Sequence, residues 1–317
     1  MPATDRVLTF SGKRSFTIPA GASAVSDPVD LQAPPRADLA VSVYVPGEVL
    51  EVTMHTAALH TTYISGPGDF TAQPGFTSGT TSVSWYWLTS VDVIAPADAA
   101  SIVAFGDSIT DGATSTVDTN RSWPSRLAEP ILSETGANIP VLNQGIGGNR
   151  ILRSSVTGGP NALSRLDRDV LAVAAVKWLM LLEGINDIGQ GTVSTLASDG
   201  VSADDVIGGL RQIIERAHTH GIVVIGCTLT PFEGARYYSE KGEAIRTAVN
   251  TWIRTGGAFD AVVDFDAAVR DPNNPKRFRA GFNNGDNLHP NDTGYKAMAD
   301  AVDLSIFGLK SVSTAAR

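Results

Sequence analysis

Ser108 follows an apolar run that stops at a glycine, Ile102-Val103-Ala104-Phe105-Gly106-Asp107-Ser108. Gly106 lets the backbone turn tightly, so the hydroxyl of Ser108 can project into a crevice. Gly-Asp-Ser by itself is also an ordinary turn. A serine attacks an acyl carbon only when a base takes its proton and donors receive the developing oxyanion, so the rest of the chain must supply both. Of the five histidines, only His289 has a carboxylate three residues before it in a loop, in Asp286-Asn287-Leu288-His289-Pro290. That spacing lets Asp286 hold the imidazole Nδ1–H while Nε2 faces Ser108, the base-and-orienter arrangement of acyl-transfer sites. His55 and His60 fall in a β-rich region, and His218 and His220 close a helix before Gly221.

Two further segments supply donors. Gly184-Ile185-Asn186-Asp187 follows the apolar run Trp178-Leu179-Met180-Leu181-Leu182. Asn186 Nδ2 can donate to an oxyanion, and Asp187 can cap the turn or the segment after it. Asn143-Gln144-Gly145-Ile146-Gly147-Gly148-Asn149-Arg150 leaves backbone amides uncovered, which suits an anion. It is not a dinucleotide fingerprint, because Arg150 stands where a third glycine or alanine is required.

The elements that must position these residues alternate. Strands are expected near 101–106, 139–144, 177–183, 222–228 and 260–264, and helices near 123–135, 161–173, 203–220, 240–255 and 291–305. Five strand–helix repeats predict a parallel sheet covered on both faces. Ligands bind at the carboxyl edge of such a sheet, and all four segments follow strands at that edge. Pro124 suits the first turn of a helix capped by Ser122, and Pro130 is expected to end or kink it. Residues 1–95 read as a small all-β, sandwich- or jelly-roll-like domain, and 96–317 as the catalytic domain. Leu39, Val41, Val43 and Val45 alternate as on a half-buried strand. Other short strands are expected at 7–10, 15–18, 49–54, 61–64 and 83–93. Trp85 and Trp87 would share one face of the last of these, in core or interdomain packing.

Composition narrows the function classes. The formal charge is −9, from 33 acidic and 24 basic residues, and no Lys/Arg-rich run occurs, which argues against a nucleic-acid partner. No apolar run reaches the roughly 18 residues of a spanning helix. Hydrophobic residues make up 43% of the 317, enough for a packed core. Cys227 is the only cysteine, so no internal disulfide forms, and its apolar run makes it a core thiol. The first residues lack a signal-peptide layout. The chain is therefore read as cytoplasmic by default, or as an exported protein lacking its signal here.

These segments, in this order, resemble the SGNH, or GDSL-type, hydrolase family over about 101–305. Gly106-Asp107-Ser108 is similar to its first block, with Ile109 in place of the namesake leucine. The glycine-rich run, Gly184-Ile185-Asn186-Asp187 and Asp286-Asn287-Leu288-His289 are similar to the other three. The resemblance implies a flavodoxin-like three-layer αβα fold with a five-stranded parallel sheet, and ester hydrolysis without metal or cofactor. It implies Ser108 as nucleophile, His289 as general base and Asp286 as its orienter. The implied oxyanion donors are the Ser108 and Gly148 amides and the Asn186 side chain. Gly148 is preferred to Gly147 because it is the sixth residue counted from Asn143. Asn149 stands where many relatives have Asp. The β-rich start resembles the interior of a module found in bacterial relatives, whose upstream strands this chain would lack, either naturally or by truncation.

No long apolar insertion separates 108 from 286, so a short acyl group is expected. A carbohydrate acetyl ester is the preferred substrate, with Arg121, Trp123, Arg150 and Tyr237 as candidate pocket walls. Lysophospholipid or thioester hydrolysis and acyl transfer are the alternatives within this chemistry. A glycan- or partner-binding protein with a vestigial hydrolase domain is the alternative outside it.

Overall fold

The computed structural model describes residues 4–49, 52–73, 75, 77–196 and 199–310. It divides into two units, Met1–Thr53 with Thr62–Ser82 and Met54–Thr61 with Val83–Arg317. Where the sequence suggests a boundary near residue 95, the division instead runs through the β-rich region. Two of its short segments pack with the hydrolase-like part.

The first unit contains one antiparallel pair, β2 (Thr62–Ser65) with β3 (Ser78–Ser82). The expected strands at 7–10, 15–18 and 39–45 do not form; a single bridge joins Phe10 to Lys13. Leu39, Val41 and Val43 alternate as a strand would, but all three stay exposed. Without a paired strand or a covering layer, alternation has no face to bury. The candidate at 49–54 lies partly outside the described residues.

In the second unit, β1 (Met54–His55) pairs antiparallel with β4 (Trp85–Tyr86), placing His55 opposite Trp85. The strand stops there, because Trp87 has left-handed backbone at φ 58°. The two tryptophans therefore do not share a strand face, and at 40% and 37% exposure neither is core. Trp85 stacks instead on His60, with ring centroids 5.7 Å apart.

The five-stranded sheet has the order β6-β5-β7-β8-β9, with all neighbours parallel. Its strands are β5 (Ser101–Gly106), β6 (Val141–Gly145), β7 (Val176–Leu182), β8 (Val223–Cys227) and β9 (Ala261–Val263). Every residue of β5 is buried, as are Trp178–Leu182 of β7, which is why these strands read as continuous apolar runs. Cys227 is buried at the end of β8, and burial pushes its thiol above the ordinary range.

Among the described residues, eight α-helices follow the strands: α1 (Ser108–Asp111), α2 (Trp123–Thr135), α3 (Ala162–Leu166), α4 (Ile185–Val193), α5 (Ala203–Thr219), α6 (Glu240–Thr255), α7 (Phe265–Val269) and α8 (Asp292–Asp300). The chain runs from β5 outward to β6, then crosses to β7 on the other side of β5. Right-handed crossovers in these two directions put helices on opposite faces. Accordingly α2 and α7 pack with α8, while α3, α4, α5 and α6 form the other group. The result is the expected three-layer α/β architecture.

Three local expectations need correction. α2 runs through Pro130 to Thr135, because Leu127 and Ile131 anchor its apolar face on both sides of the proline. Ser122 occupies the cap position but its hydroxyl reaches Ser125 Oγ, not a helix amide. The helix expected over 161–173 is α3 followed by a π-helical turn, Asp167–Leu171, and α4 was not expected.

Candidate active site

The register of the sheet puts the candidate segments side by side. Gly106 is level with Gly145 on one neighbour and with Leu182 on the other. The serine turn therefore leaves the central strand between the glycine-rich loop after β6 and the asparagine turn after β7. This turn lies where the chain switches direction across β5, the position at which open α/β sheets bind ligands.

Close approach demands glycine at two of these ends. A Cβ on Gly106 would lie 2.2 Å from Leu182 O and 2.3 Å from Thr110 Oγ1. A Cβ on Gly145 would lie 2.1 Å from Asp111 N. The Ser108 turn thus sits flat on the end of β6. Asn143 ties the two together, with Nδ2 donating to Thr110 O and Asp111 O at 2.9 and 3.2 Å.

Asp107 caps α1 by accepting from Ile109 N at 2.9 Å. Burial, opposed by that amide and reinforced by Asp187, pushes its pKa up to about 7. Ser108 opens the helix and is buried. Its Oγ lies 2.8 Å from His289 Nε2, and His289 Nδ1 lies 2.6 Å from Asp286 Oδ2. Asp286 Oδ1 accepts from the amides of Leu288 and His289, each at 2.9 Å, so the carboxylate builds the turn that carries the imidazole. Burial opposes ionisation of Asp286, but the His289 amide, the His289 ring and the Leu288 amide outweigh it and hold the pKa below the ordinary value. An ionised Asp286 keeps the proton on Nδ1 and leaves Nε2 free to accept one from a hydroxyl.

The three candidate donors follow β5, β6 and β7, whose ends lie side by side at one edge of the sheet. Among the described residues, neither Ser108 N–H nor Gly148 N–H donates to a protein acceptor. Asn186 is buried at the start of α4. Its Nδ2 donates to Asn149 O at 2.9 Å, which leaves its second N–H for another acceptor. Its Oδ1 accepts from Tyr237 OH at 3.1 Å. These two bonds fix which end of the carboxamide is which. Burial, with Asp107 and Asp286 adding to it, pushes the Tyr237 phenol well above its ordinary pKa and keeps it a neutral donor. Asp187 accepts from Ile151 N at 2.7 Å and Leu152 N at 3.0 Å, so it clamps the glycine-rich loop rather than capping its own helix.

Of the four candidate wall residues, only Tyr237 bonds to a candidate site group. Trp123 is wholly buried against Phe265, Arg121 is paired with Asp292 at 2.9 Å, and Arg150 lies in the field of Asp187.

Two residues that sequence reasoning missed or set aside hold the site together. Arg165 is buried with its guanidinium over the Phe105 ring. It donates to Gly106 O and Gln144 O, each at 2.8 Å, to Asn149 Oδ1 at 2.9 Å and to Asp169 at 3.0 Å. It therefore binds the carboxyl ends of β5 and β6 to the loop after β6. Asn149 donates to Gly158 O and Pro160 O at 2.6 and 2.8 Å and shapes the loop that presents Gly148. The only sequence signal for either was Asp169 four residues after Arg165, a spacing common on any helix. Beneath them Glu183 is buried, with its nearest cation, Arg165, 4.0 Å away. Burial and then the Asp107 carboxylate push its pKa well up.

Among the described residues, no three His, Cys, Asp or Glu side chains are grouped to hold a metal ion. No helix among them is long and apolar enough to cross a membrane.

A parallel α/β sheet with a serine, an imidazole and a carboxylate in line at its carboxyl edge defines a class of hydrolases. Residues 104–297, more than half of the chain, match the model of the GDSL-like lipase/acylhydrolase family, and the chain belongs to that family. It is similar to an acetylxylan esterase from Geobacillus stearothermophilus, with 20% identity and a TM-score of 0.50 over 67% of this chain and 95% of the other. It is also similar to a lipolytic protein of the G-D-S-L family from Veillonella parvula, with 23% identity and a TM-score of 0.45 over 64% and 96%. At 20% identity the likeness to the Geobacillus protein is one of fold. Among curated proteins none matches the chain.

Proposed function

We propose that the protein hydrolyses short-chain acyl esters, acetyl esters of carbohydrates first among them, through an acyl-enzyme on Ser108. The observation that carries this reading is the unbroken line from Ser108 Oγ through His289 to Asp286, at 2.8 and 2.6 Å. Ser108 Oγ attacks the ester carbonyl as His289 Nε2 takes its proton. The carbonyl oxygen becomes an oxyanion received by Ser108 N–H, Gly148 N–H and Asn186 Nδ2. His289 returns the proton to the departing alcohol. Water then attacks the acyl-serine by the same route, and the acid leaves. No step calls for a metal or a cofactor.

Three features support a short acyl group on a water-soluble alcohol. No long apolar insertion separates Ser108 from Asp286. The segments around the site, such as Thr114–Arg121 and Gly281–Leu288, are rich in polar residues. The structurally similar protein from Geobacillus stearothermophilus is an acetylxylan esterase. The test compares p-nitrophenyl acetate, butyrate and octanoate in the presence of a chelator. We expect kcat/KM to fall steadily with chain length and to be unchanged by the chelator. A preference for octanoate would redirect the reading to lysophospholipid-type substrates.

The oxyanion donors give a second prediction. Asn186→Ala removes one donor, for which comparable sites lose roughly 100- to 1000-fold in kcat, about 3–4 kcal/mol. Tyr237→Phe leaves Asn186 in place but frees its Oδ1. One neutral hydrogen bond is worth about 1 kcal/mol, so kcat should fall by about 5-fold with KM unchanged. Full activity in Asn186→Ala would remove that side chain from the oxyanion site.

A further inference from the structure

We infer that His55 and Asp111 form a bracket that sets the position of the oxyanion loop against the nucleophile turn. This makes the short segment Met54–Thr61 a working part of the active centre. The inference rests on the reading of Ser108 as nucleophile given above.

His55 Nε2 lies 2.8 Å from Asp111 Oδ1. Asp111 ends the helical turn that Ser108 begins, so its carboxylate is rigidly related to the nucleophile. Its backbone rests on Gly145, and its peptide oxygen is held by Asn143 at the base of the glycine-rich loop. Asp111 Oδ2 is buried and faces that loop, where the Gly147 amide favours the carboxylate. The next residue, Gly148, carries the amide assigned to the oxyanion. His55 holds the other oxygen, so the carboxylate is fixed between the histidine and the loop.

The histidine is itself firmly placed. It pairs across β1–β4 with Trp85, and the far end of its segment is tied to the loop after α1. There Asp118 accepts from Thr61 N and Oγ1 at 2.7 and 2.6 Å, and its own amide donates to Leu59 O at 3.0 Å. The same loop reaches the His289 turn, with Thr114 Oγ1 donating to Pro290 O and Thr116 bonded to Asp292. One anchored loop thus links residues 54–61 to both the base and the nucleophile.

Both members of the bracket are shifted upward. The hydrogen bond to Asp111 outweighs burial and raises the pKa of His55. Burial raises Asp111, against which His55, the Gly147 amide and Arg165 act. Arg165 and Asp107 are the other charged groups facing the pair. His55 and Asp111 touch no reacting atom, so they are positioning residues.

The test uses the full chain with p-nitrophenyl acetate and with phenylboronic acid. Ser108 Oγ adds to the boron of this inhibitor, and the tetrahedral adduct puts an oxygen where the oxyanion forms. His55→Ala should lower kcat by about 10- to 100-fold, the cost of a small misplacement of reacting groups, with KM changed less than about 2-fold. Affinity for the boronic acid should fall with kcat, which a purely structural contact would not cause. His55→Gln, which keeps a donor for Asp111, should restore most of both. If His55→Ala fails to fold, Asp111→Asn carries the same expectation, since it keeps the volume but removes the charge. Wild-type kcat and boronate affinity in a folded His55→Ala or Asp111→Asn variant would overturn the bracket. Ser108→Ala run alongside separates the two ideas. If it stays active the esterase reading fails, and if it is dead while the bracket variants are unaffected only the bracket fails.

Discussion

Ser108→Ala should lower kcat for p-nitrophenyl acetate by roughly 10⁴- to 10⁶-fold while leaving the fold intact. The hydroxyl is the group proposed to form the acyl intermediate, with His289 Nε2 in contact at 2.8 Å. Its removal takes away the covalent route but not the oxyanion donors, so a small rate above that of water should persist. Thermal stability should change little, because the hydroxyl makes no bond that builds the turn. Asp107, Asn143 and Gly145 do that. Circular dichroism and a melting curve beside the rate measurement would establish this. A loss of less than about 10-fold would show that another group carries the chemistry.

His289→Ala should cost about as much, and the double variant no more than either alone. Residues that act as one unit are strongly non-additive, since removing the nucleophile leaves the base nothing to do. The lowered pKa of Asp286 keeps that carboxylate ionised well below neutral pH, so loss of the orienting charge should not limit kcat/KM until the pH falls below the ordinary carboxylate range. Near-normal turnover in a folded His289→Ala variant would place the base elsewhere.

The α/β half of the chain was legible because buried parallel strands leave uninterrupted apolar runs. Gly106 and Leu182 end two such runs, and the register brings them level with Gly145 at the edge carrying Ser108, Gly148 and Asn186. The Asp286–His289 turn was legible because the whole contact is local, three residues apart. What escaped was long-range. Arg165 joins Gly106 and Gln144 across 59 and 21 residues, and His55 meets Asp111 across 56. No spacing in one sequence encodes such pairs. The β-rich start misled at the level of single strands. Alternation at Leu39–Val45 states which residues could share a face, but only a paired and covered strand makes use of it. Pro130 misled for the opposite reason, since tertiary burial of Leu127 and Ile131 overrides the local penalty.

The most direct measurement of the central proposal is the intact mass of the protein after reaction with a fluorophosphonate, followed by mapping of the modified peptide. A serine activated by His289 displaces fluoride and keeps the phosphonyl group. One adduct per chain should form, on the peptide containing Ser108, and esterase activity should disappear in proportion to it. An adduct on any other residue, or full esterase activity in protein completely modified at Ser108, would contradict the proposed site.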